Sequence, residues 1–421
     1  MTYTVKQEPE RAILCAVSLP GKTKETEYSI EELEQLAKTA GSVVVDTLVQ
    51  SREKFHPVHY FGAGKISTLR NLAGEKNADI LIFDDELSPS QQKNLEKEIP
   101  GKKILDRSAL ILDIFTIHAK TREAKTQVKL AEAEYLLPRL TRQWTHLERQ
   151  AGGIGTRRGP GETQIELDRR MLRKQIKKLK EDLDKIAVQL ETKRKSRSRR
   201  FNVALVGYTN AGKSTLMNYL ADSDLEVEDQ LFKTLDTTVR RVQLDKTHTI
   251  YLSDTVGFIR KLPHQLVASF RSTLKEAESA DLLLKIIDIS DENFREHIRT
   301  IDEVLKDFDI PEKRFISIFN KTDLLQNSEH IRYVRRNYPE AICISAARGI
   351  GIGKVIAAIR ERIEESSLVH DLYVDPADGR LIADLHRYGE VLDSRFAEDK
   401  ILFKVFLDEP VYRGLKKKYE I

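Results

Sequence analysis

Eight residues, Gly207-Tyr208-Thr209-Asn210-Ala211-Gly212-Lys213-Ser214, have the composition and spacing of a loop that cradles phosphates. Glycines at such a turn let backbone N–H groups close on phosphate oxygens with no Cβ between them. The N-terminus of a following helix adds partial positive charge. Lys213 can reach β- and γ-phosphates, and Ser214 can ligate Mg²⁺. A second stretch, Asn320-Lys321-Thr322-Asp323, selects the base. The Asp323 carboxylate can accept both the N1–H and the N2–H of guanine. Adenine offers neither donor in that arrangement and would leave the carboxylate unpaired. Asn320 and Lys321 brace the loop and pack on the base.

Three further runs fit the same chemistry. Asp254-Thr255-Val256-Gly257 ends an apolar strand. Its aspartate can hold Mg²⁺ through water, and the Gly257 N–H can bind a γ-phosphate. Ser345-Ala346-Ala347 follows a later strand and fits a backbone contact to guanine O6. Between the phosphate loop and Asp254 a threonine is required that ligates Mg²⁺ and senses the γ-phosphate. The run Phe232-Lys233-Thr234-Leu235-Asp236-Thr237-Thr238 is where it must lie, and spacing alone leaves Thr234, Thr237 and Thr238 open. In Ras-like enzymes a glutamine directly after the glycine of the Asp-x-x-Gly turn orients the attacking water. Here that residue is Phe258, which cannot orient or polarise water. Hydrolysis by the free protein is therefore expected to be slow, with the missing group supplied by a partner, for which a large RNA-containing assembly is a natural candidate.

The elements that must position these residues are legible as apolar runs. Phe201 to Val206 reads as a buried parallel strand, and Thr215 to Leu220 as the helix after the loop. Further strands are expected at Val239–Leu244, Ile250–Ser253, Leu282–Asp288, Phe315–Phe319 and Ala341–Ile344. They predict a doubly wound, mostly parallel sheet over 200–366, with one antiparallel pair before Asp254.

Outside that region, residues 1–119 alternate strand and helix: Ala12–Val17, Val43–Val45 and Ile80–Phe83 as strands, and Ser29–Ala40, Ser88–Ile99 and Arg107–Ile117 as helices, with Ser29 as an N-cap. Gly62-Ala63-Gly64-Lys65 lacks the full phosphate-loop spacing and reads as a structural turn. Residues 120–199 read as an antiparallel helical hairpin. One helix carries a heptad seam, Leu172, Ile176, Leu179, Leu183, Ile186 and Leu190; the other carries Leu130, Leu137, Leu140, Trp144 and Leu147, with a kink near Pro138. Its tip, Ala151 to Gly161, is too glycine-rich for a helix. Arg139, Arg142, Arg149, Arg157 and Arg158 surround it, with Trp144 and His146 interleaved, a composition suited to structured RNA. Lys193 to Arg200 adds a second basic run. Residues 367–421 read as a small α+β domain, with strands at Leu368–Val374 and Lys400–Leu407 and a helix at Leu381–Tyr388.

Composition narrows the field. With 421 residues, 40% of them hydrophobic, the chain can build several cores. Its 70 basic and 66 acidic residues leave only +4, so RNA contact must come from local runs. The two cysteines, Cys15 and Cys343, sit in apolar runs and read as reduced core residues of a cytoplasmic protein. The N-terminus does not read as a signal peptide, and no apolar stretch reaches the roughly 18 residues of a membrane span.

The nucleotide motifs identify a translation-factor-type GTPase, and the fuller set resembles the HflX family over nearly the whole chain. The stretch most specific to that family is Gly159-Pro160-Gly161-Glu162-Thr163-Gln164-Ile165-Glu166-Leu167-Asp168-Arg169-Arg170, just before the nucleotide domain. Asp254 to Pro263 resembles the family's second switch. The first switch of the family reads Phe-Ala-Thr-Leu-Asp-Pro-Thr; aligned on Phe-x-Thr-Leu-Asp it assigns the Mg²⁺ threonine to Thr234, with Lys233 and Thr237 in place of Ala and Pro. The resemblance implies an α/β fold: a small N-terminal α/β domain, a helical hairpin, a P-loop GTPase domain and a small C-terminal α+β domain. It implies Mg²⁺-dependent hydrolysis of GTP. Its expected partner is the large (50S) ribosomal subunit, met through hairpin, tip and ribosomal RNA, with a role in splitting or rescuing stalled ribosomes or in ribosome biogenesis. The free protein is expected to be a monomer. Two readings from other classes compete: an RNA chaperone or helicase-like protein whose NTPase activity is secondary, and an adaptor that binds a protein partner through the heptad hairpin.

Overall fold

Short apolar runs punctuated by capping residues build most of this chain. A computed structural model describes residues 9–140, 164–197, 201–221, 231–232, 238–245, 248–261, 276–306, 314–325, 328–397 and 399–419. Two compact units are present: residues 1–185 with 261–270, and residues 186–260 with 271–421.

The first unit begins with β1 (Arg11–Ser18), α1 (Thr23–Thr39), β2 (Val43–Ser51), α2 (Ala63–Glu75) and β3 (Ile80–Phe83). It continues with α3 (Pro89–Glu98), β4 (Lys103–Asp106), α4 (Arg107–His118) and α5 (Arg122–Leu136). The four strands lie in the order β2-β1-β3-β4, every pair parallel. β1 and β3 are apolar at nearly every position because helices cover both faces of such a sheet. Side chains start three of the helices: Ser88 forms a capping box with Gln91, Asp106 caps α4, and Thr121 caps α5.

Ser29 is not a cap. α1 starts six residues earlier, at Thr23, and Ser29 is buried within it. Its hydroxyl donates to the Asp84 carboxylate at 2.7 and 2.9 Å. A polar side chain facing a buried carboxylate looks the same in sequence as one facing helix N–H groups. Arg107 completes that cluster, pairing with Asp84 at 2.8 Å and with Glu32. Lys261 adds its ammonium at 2.5 Å from Asp84 and 2.6 Å from Asp85. Burial raises the Asp84 pKa, and the neighbouring Lys261 opposes it. Gly62 is the N-cap of α2, so the Gly62–Lys65 run is indeed the turn that starts a helix.

After α5, Leu137–Arg139 make a 3-10 turn containing Pro138, where a kink is expected. The long α6 spans Gln164–Arg197. It approaches the α5 side in antiparallel sense: Lys180 pairs with Glu134 at 2.8 Å, and Arg169 donates to the Leu140 carbonyl at 3.2 Å. The α6 seam residues Leu172 to Leu190 are half-buried. Trp144, His146, Leu147, Arg142, Arg149 and the whole tip with Arg157 and Arg158 lie outside the described residues, as do the side chains of Lys193 to Arg200.

The second unit holds β5 (Phe201–Gly207), α7 (Lys213–Ala221), β6 (Thr238–Gln243), β7 (Thr249–Asp254) and β8 (Leu282–Asp288). Next come α8 (Phe294–Leu305), β9 (Phe315–Asn320), α9 (Glu329–Asn337), β10 (Ile342–Cys343) and α10 (Ile352–Ser366). The sheet order is β10-β9-β8-β5-β7-β6, and β6–β7 is its antiparallel pair. The expected strands are all present. The functional edge of such a sheet is the carboxyl end of its strands, beside the central β5.

The chain closes with β11 (Ser367–Val374), α11 (Gly379–Tyr388), β12 (Glu390–Ala397), β13 (Lys400–Asp408) and α12 (Glu409–Tyr419). The antiparallel order is β11-β13-β12. Leu372, Leu385, Phe403, Val405 and Leu415 anchor its core. Sequence reading missed β12 and α12. β12 is almost wholly exposed and carries no alternating apolar pattern, and α12 hides behind Gly414 and a lysine run.

Candidate nucleotide site

β5 runs buried to Gly207, where a Cβ would strike the Ile286 carbonyl of neighbouring β8. The loop then needs left-handed backbone, at Asn210 (φ 59°) and at Gly212 (φ 91°). Asparagine and glycine are the residues that adopt it at least cost. α7 begins at Lys213, so its first N–H groups open onto the loop. Lys213 is buried, and its ammonium donates to the Tyr208 carbonyl at 2.9 Å and the Gly207 carbonyl at 3.2 Å. Burial pulls its pKa down to about 8, with the Asp254 charge opposing.

Ser214 and Asp254 meet at this point. The Ser214 hydroxyl donates to Asp254 Oδ2 at 2.6 Å, and Asp254 is buried at the end of β7. A hydroxyl and a carboxylate converging beside a phosphate loop are the hard oxygen donors that Mg²⁺ takes. Among the described residues no group of three or more His, Cys, Asp and Glu could hold a metal alone. An ion here would rely on phosphate oxygens as well, which is how Mg²⁺ is commonly bound. Thr255 is buried and donates to the Leu205 carbonyl at 2.7 Å, which locks the turn to β5. At Gly257 a Cβ would lie 2.8 Å from Thr209 Cα and 3.0 Å from Lys213 Nζ. Val256 is buried beside it.

Phe258 is also buried. Its N–H donates to the Gly207 carbonyl at 3.0 Å, and its carbonyl accepts the Thr209 N–H at 2.8 Å. This residue is therefore part of the phosphate-loop scaffold.

The residues expected to read the base arrive from the ends of β9 and β10. Asn320 donates to the Ala211 carbonyl at 2.9 Å and accepts the Ala346 N–H at 2.9 Å. Lys321 adopts left-handed backbone, φ 64°, and pairs with Asp288 at 2.8 Å. Thr322 holds the Ile344 carbonyl through its N–H at 3.1 Å and its hydroxyl at 2.9 Å. A hydrogen bond from Ser345 is the main reason the Asp323 pKa falls below the usual carboxylate range, with Arg348, at 3.3 Å, contributing. Ser345 and Ile350 exchange two backbone bonds of 3.0 Å, closing the loop that carries Ala346 and Ala347.

The structure thus gathers the 207–214 loop, the 254–257 turn, the 320–323 loop and the 345–347 loop at one edge of one sheet. Phe232 is buried with φ 59°. Lys233, Thr234, Leu235, Asp236 and Thr237 lie outside the described residues. Two partners escaped sequence reading. Asp288 was legible in principle, as a carboxylate ending an apolar strand in register with Asn320. Arg348 had no signal, because only folding brings it beside Asp323.

Comparison with known proteins gives the family of the chain. Family models match residues 27–116, described as GTP-binding GTPase N-terminal, and residues 118–197, described as GTP-binding GTPase middle region. Residues 202–321 match a model described as 50S ribosome-binding GTPase. The protein named GTPase HflX from Magnetococcus marinus is 42% identical over 397 residues, covering 93% of this chain and 91% of its own length. Its namesake from Alkalihalophilus pseudofirmus is 47% identical over 398 residues, covering 94% and 92%. That of Escherichia coli is 41% identical over 373 residues, covering 88% and 87%. A crystal structure of a GTP-binding protein from the archaeon Sulfolobus solfataricus in complex with GDP is 23% identical, covers 84% of this chain and 98% of its own, and superposes with a TM-score of 0.45.

Proposed function

This chain belongs to the HflX family of GTPases and is a GTP hydrolase, and from that premise we propose that it is a GTP-driven factor of the large ribosomal subunit, splitting or rescuing stalled ribosomes or acting in ribosome biogenesis. The observation that carries the site assignment is the bond of Asn320 to Ala211, which joins the base-reading loop to the phosphate loop.

In this reading Asp323 accepts the guanine N1–H and N2–H, Lys321 packs on the base, and the loop closed by Ser345 presents backbone N–H groups to O6. The N–H groups of 208–214 close on the phosphates, and Lys213 places its charge on the β- and γ-oxygens. Gly257 donates its N–H to the γ-phosphate. Mg²⁺ would be held by Ser214 and Thr234, with Asp254 behind Ser214, and would supply positive charge to the phosphates. Water attacks the γ-phosphorus in line, the bond to the β–γ bridging oxygen breaks, and GDP and phosphate leave. Phe258 offers no polar group to the water, which supports slow turnover alone and activation by a partner.

Support for the ribosomal partner comes from the 50S ribosome-binding description of the model matched by residues 202–321, and from the basic residues of the hairpin tip, Arg142, Arg149, Arg157 and Arg158. Arg139, expected among them, is instead buried and pairs with Glu86 at 3.1 Å and Asp106 at 3.4 Å, so it is a structural residue of the first unit. No described helix is long and apolar enough to cross a membrane, and the cytoplasm, where ribosomes are, is the location we assign. Two experiments test the reading. Lys213→Ala should greatly slow single-turnover GTP hydrolysis; an unchanged rate would remove this loop as the active site. Purified large subunits should accelerate hydrolysis at least about ten-fold, roughly 1.4 kcal/mol of barrier. Subunits that bind and leave the rate untouched would refute the partner.

A further inference from the structure

Gly257 poses a mechanical problem. A Cβ there would strike Thr209 and crowd Lys213, so the position must be glycine. Glycine imposes little on its own backbone direction. An N–H that must point at a γ-phosphate therefore has to be aimed by its neighbours.

Those neighbours are fixed by three hydrogen bonds in a row. Phe258 N–H donates to the Gly207 carbonyl at 3.0 Å, and Thr209 N–H to the Phe258 carbonyl at 2.8 Å. Together they form a short parallel bridge between Tyr208 and Phe258. The third bond involves a side chain: the Tyr208 hydroxyl accepts the Arg260 N–H at 2.8 Å. Tyr208 is buried, and its ring lies flat on buried His297 of α8, with centroids 3.9 Å apart and planes 11° apart. A phenol held between a helix and the sheet has little freedom to release its acceptor.

We propose that Tyr208 is a positioning residue for GTP hydrolysis: backed by His297, its hydroxyl holds the Arg260 amide and so keeps the Gly257 N–H aimed at the γ-phosphate. The inference rests on the assignment of Gly257 given above. Where the bridge would otherwise end at Phe258, the clasp extends it to Arg260.

Tyr208→Phe in the full chain is the direct test, because it keeps the ring and its stack and removes only the hydroxyl. The single-turnover rate should fall about two- to ten-fold, the size of one net hydrogen bond. GDP affinity should stay within about two-fold of wild type. Amide hydrogen exchange at Arg260 should quicken at least about three-fold, with the β5 and β8 amides unchanged. His297→Phe, which preserves a flat ring, should behave like wild type, and His297→Ala should move toward Tyr208→Phe. A wild-type rate in Tyr208→Phe would overturn the proposal. So would a slower rate with unchanged Arg260 exchange, or a loss of GDP affinity as large as the loss of rate. Lys213→Ala, run in parallel, keeps the cases apart: its hydrolysis rate alone decides whether this loop is the active site.

Discussion

The side-chain amide of Asn320 donates to the carbonyl of Ala211 at 2.9 Å. One residue of the base-reading loop thereby holds the backbone of the phosphate loop, while its oxygen holds the Ala346 N–H. A Cβ at Gly212 would collide with that same amide nitrogen. The 320–323 loop and the 207–214 loop are therefore tied directly to each other.

Asn320→Ala should disturb both halves. It leaves the Ala211 carbonyl and the Ala346 N–H without these partners in a buried setting, at a cost of about 2 kcal/mol or more. A thermal melt should show a lower midpoint, and a fluorescent GDP titration should show affinity weakened at least about ten-fold. Wild-type GDP affinity would mean that the two loops are independent.

Asp323→Asn should exchange guanine for xanthine preference, since it turns an acceptor into a donor. Competition of GTP and xanthosine triphosphate for the variant is the measurement. Undiminished GTP binding would dismiss Asp323 as the base reader.

Gly257→Ala should slow hydrolysis while sparing GDP binding. The added methyl meets Thr209 Cα at 2.8 Å and Lys213 Nζ at 3.0 Å, beside the place assigned to the γ-phosphate. Single-turnover rates should fall at least about ten-fold, about 1.4 kcal/mol, with the GDP dissociation constant nearly constant. Equal losses in both would place Gly257 in general nucleotide binding.

Lys213 predicts a pH dependence. Burial lowers its pKa to about 8 from the ordinary lysine value of 10.5. The protonated form is disfavoured in the fold, so the penalty to stability is full below about 8. Between that value and 10.5 the unfolded chain binds more protons, and this group's contribution to stability rises with pH. Phosphates beside the ammonium restore the higher pKa. Near pH 8.5 GDP binding should therefore take up roughly half a proton or more, and near pH 7 almost none from this group. Calorimetry in buffers of different ionisation enthalpy reads this directly, and Lys213→Ala should abolish the uptake.

Much of the nucleotide domain was determined locally. The parallel strands β5, β8 and β9 are apolar runs because both faces of a parallel sheet are covered, so each could be read without knowing its neighbours. The phosphate loop was legible for a similar reason: Gly207, Gly212, Lys213 and Ser214 meet a demand set by a ligand, within eight residues. Local pattern failed where the deciding partner was distant. Ser29 has the side chain of a cap, but Asp84, 55 residues away, captures its hydroxyl. β12 is exposed along nearly its whole length, apolar Leu392 and Phe396 included, and is a strand because β13 pairs with it. Phe258 reads in sequence as a missing glutamine. Pairing with Gly207 and Thr209 makes it a buried part of the loop's scaffold. The Asn320–Ala211 bond spans 109 residues. It exists because β5 and β9, with β8 between them, end at the same edge of one sheet, a distance that only the tertiary fold can close.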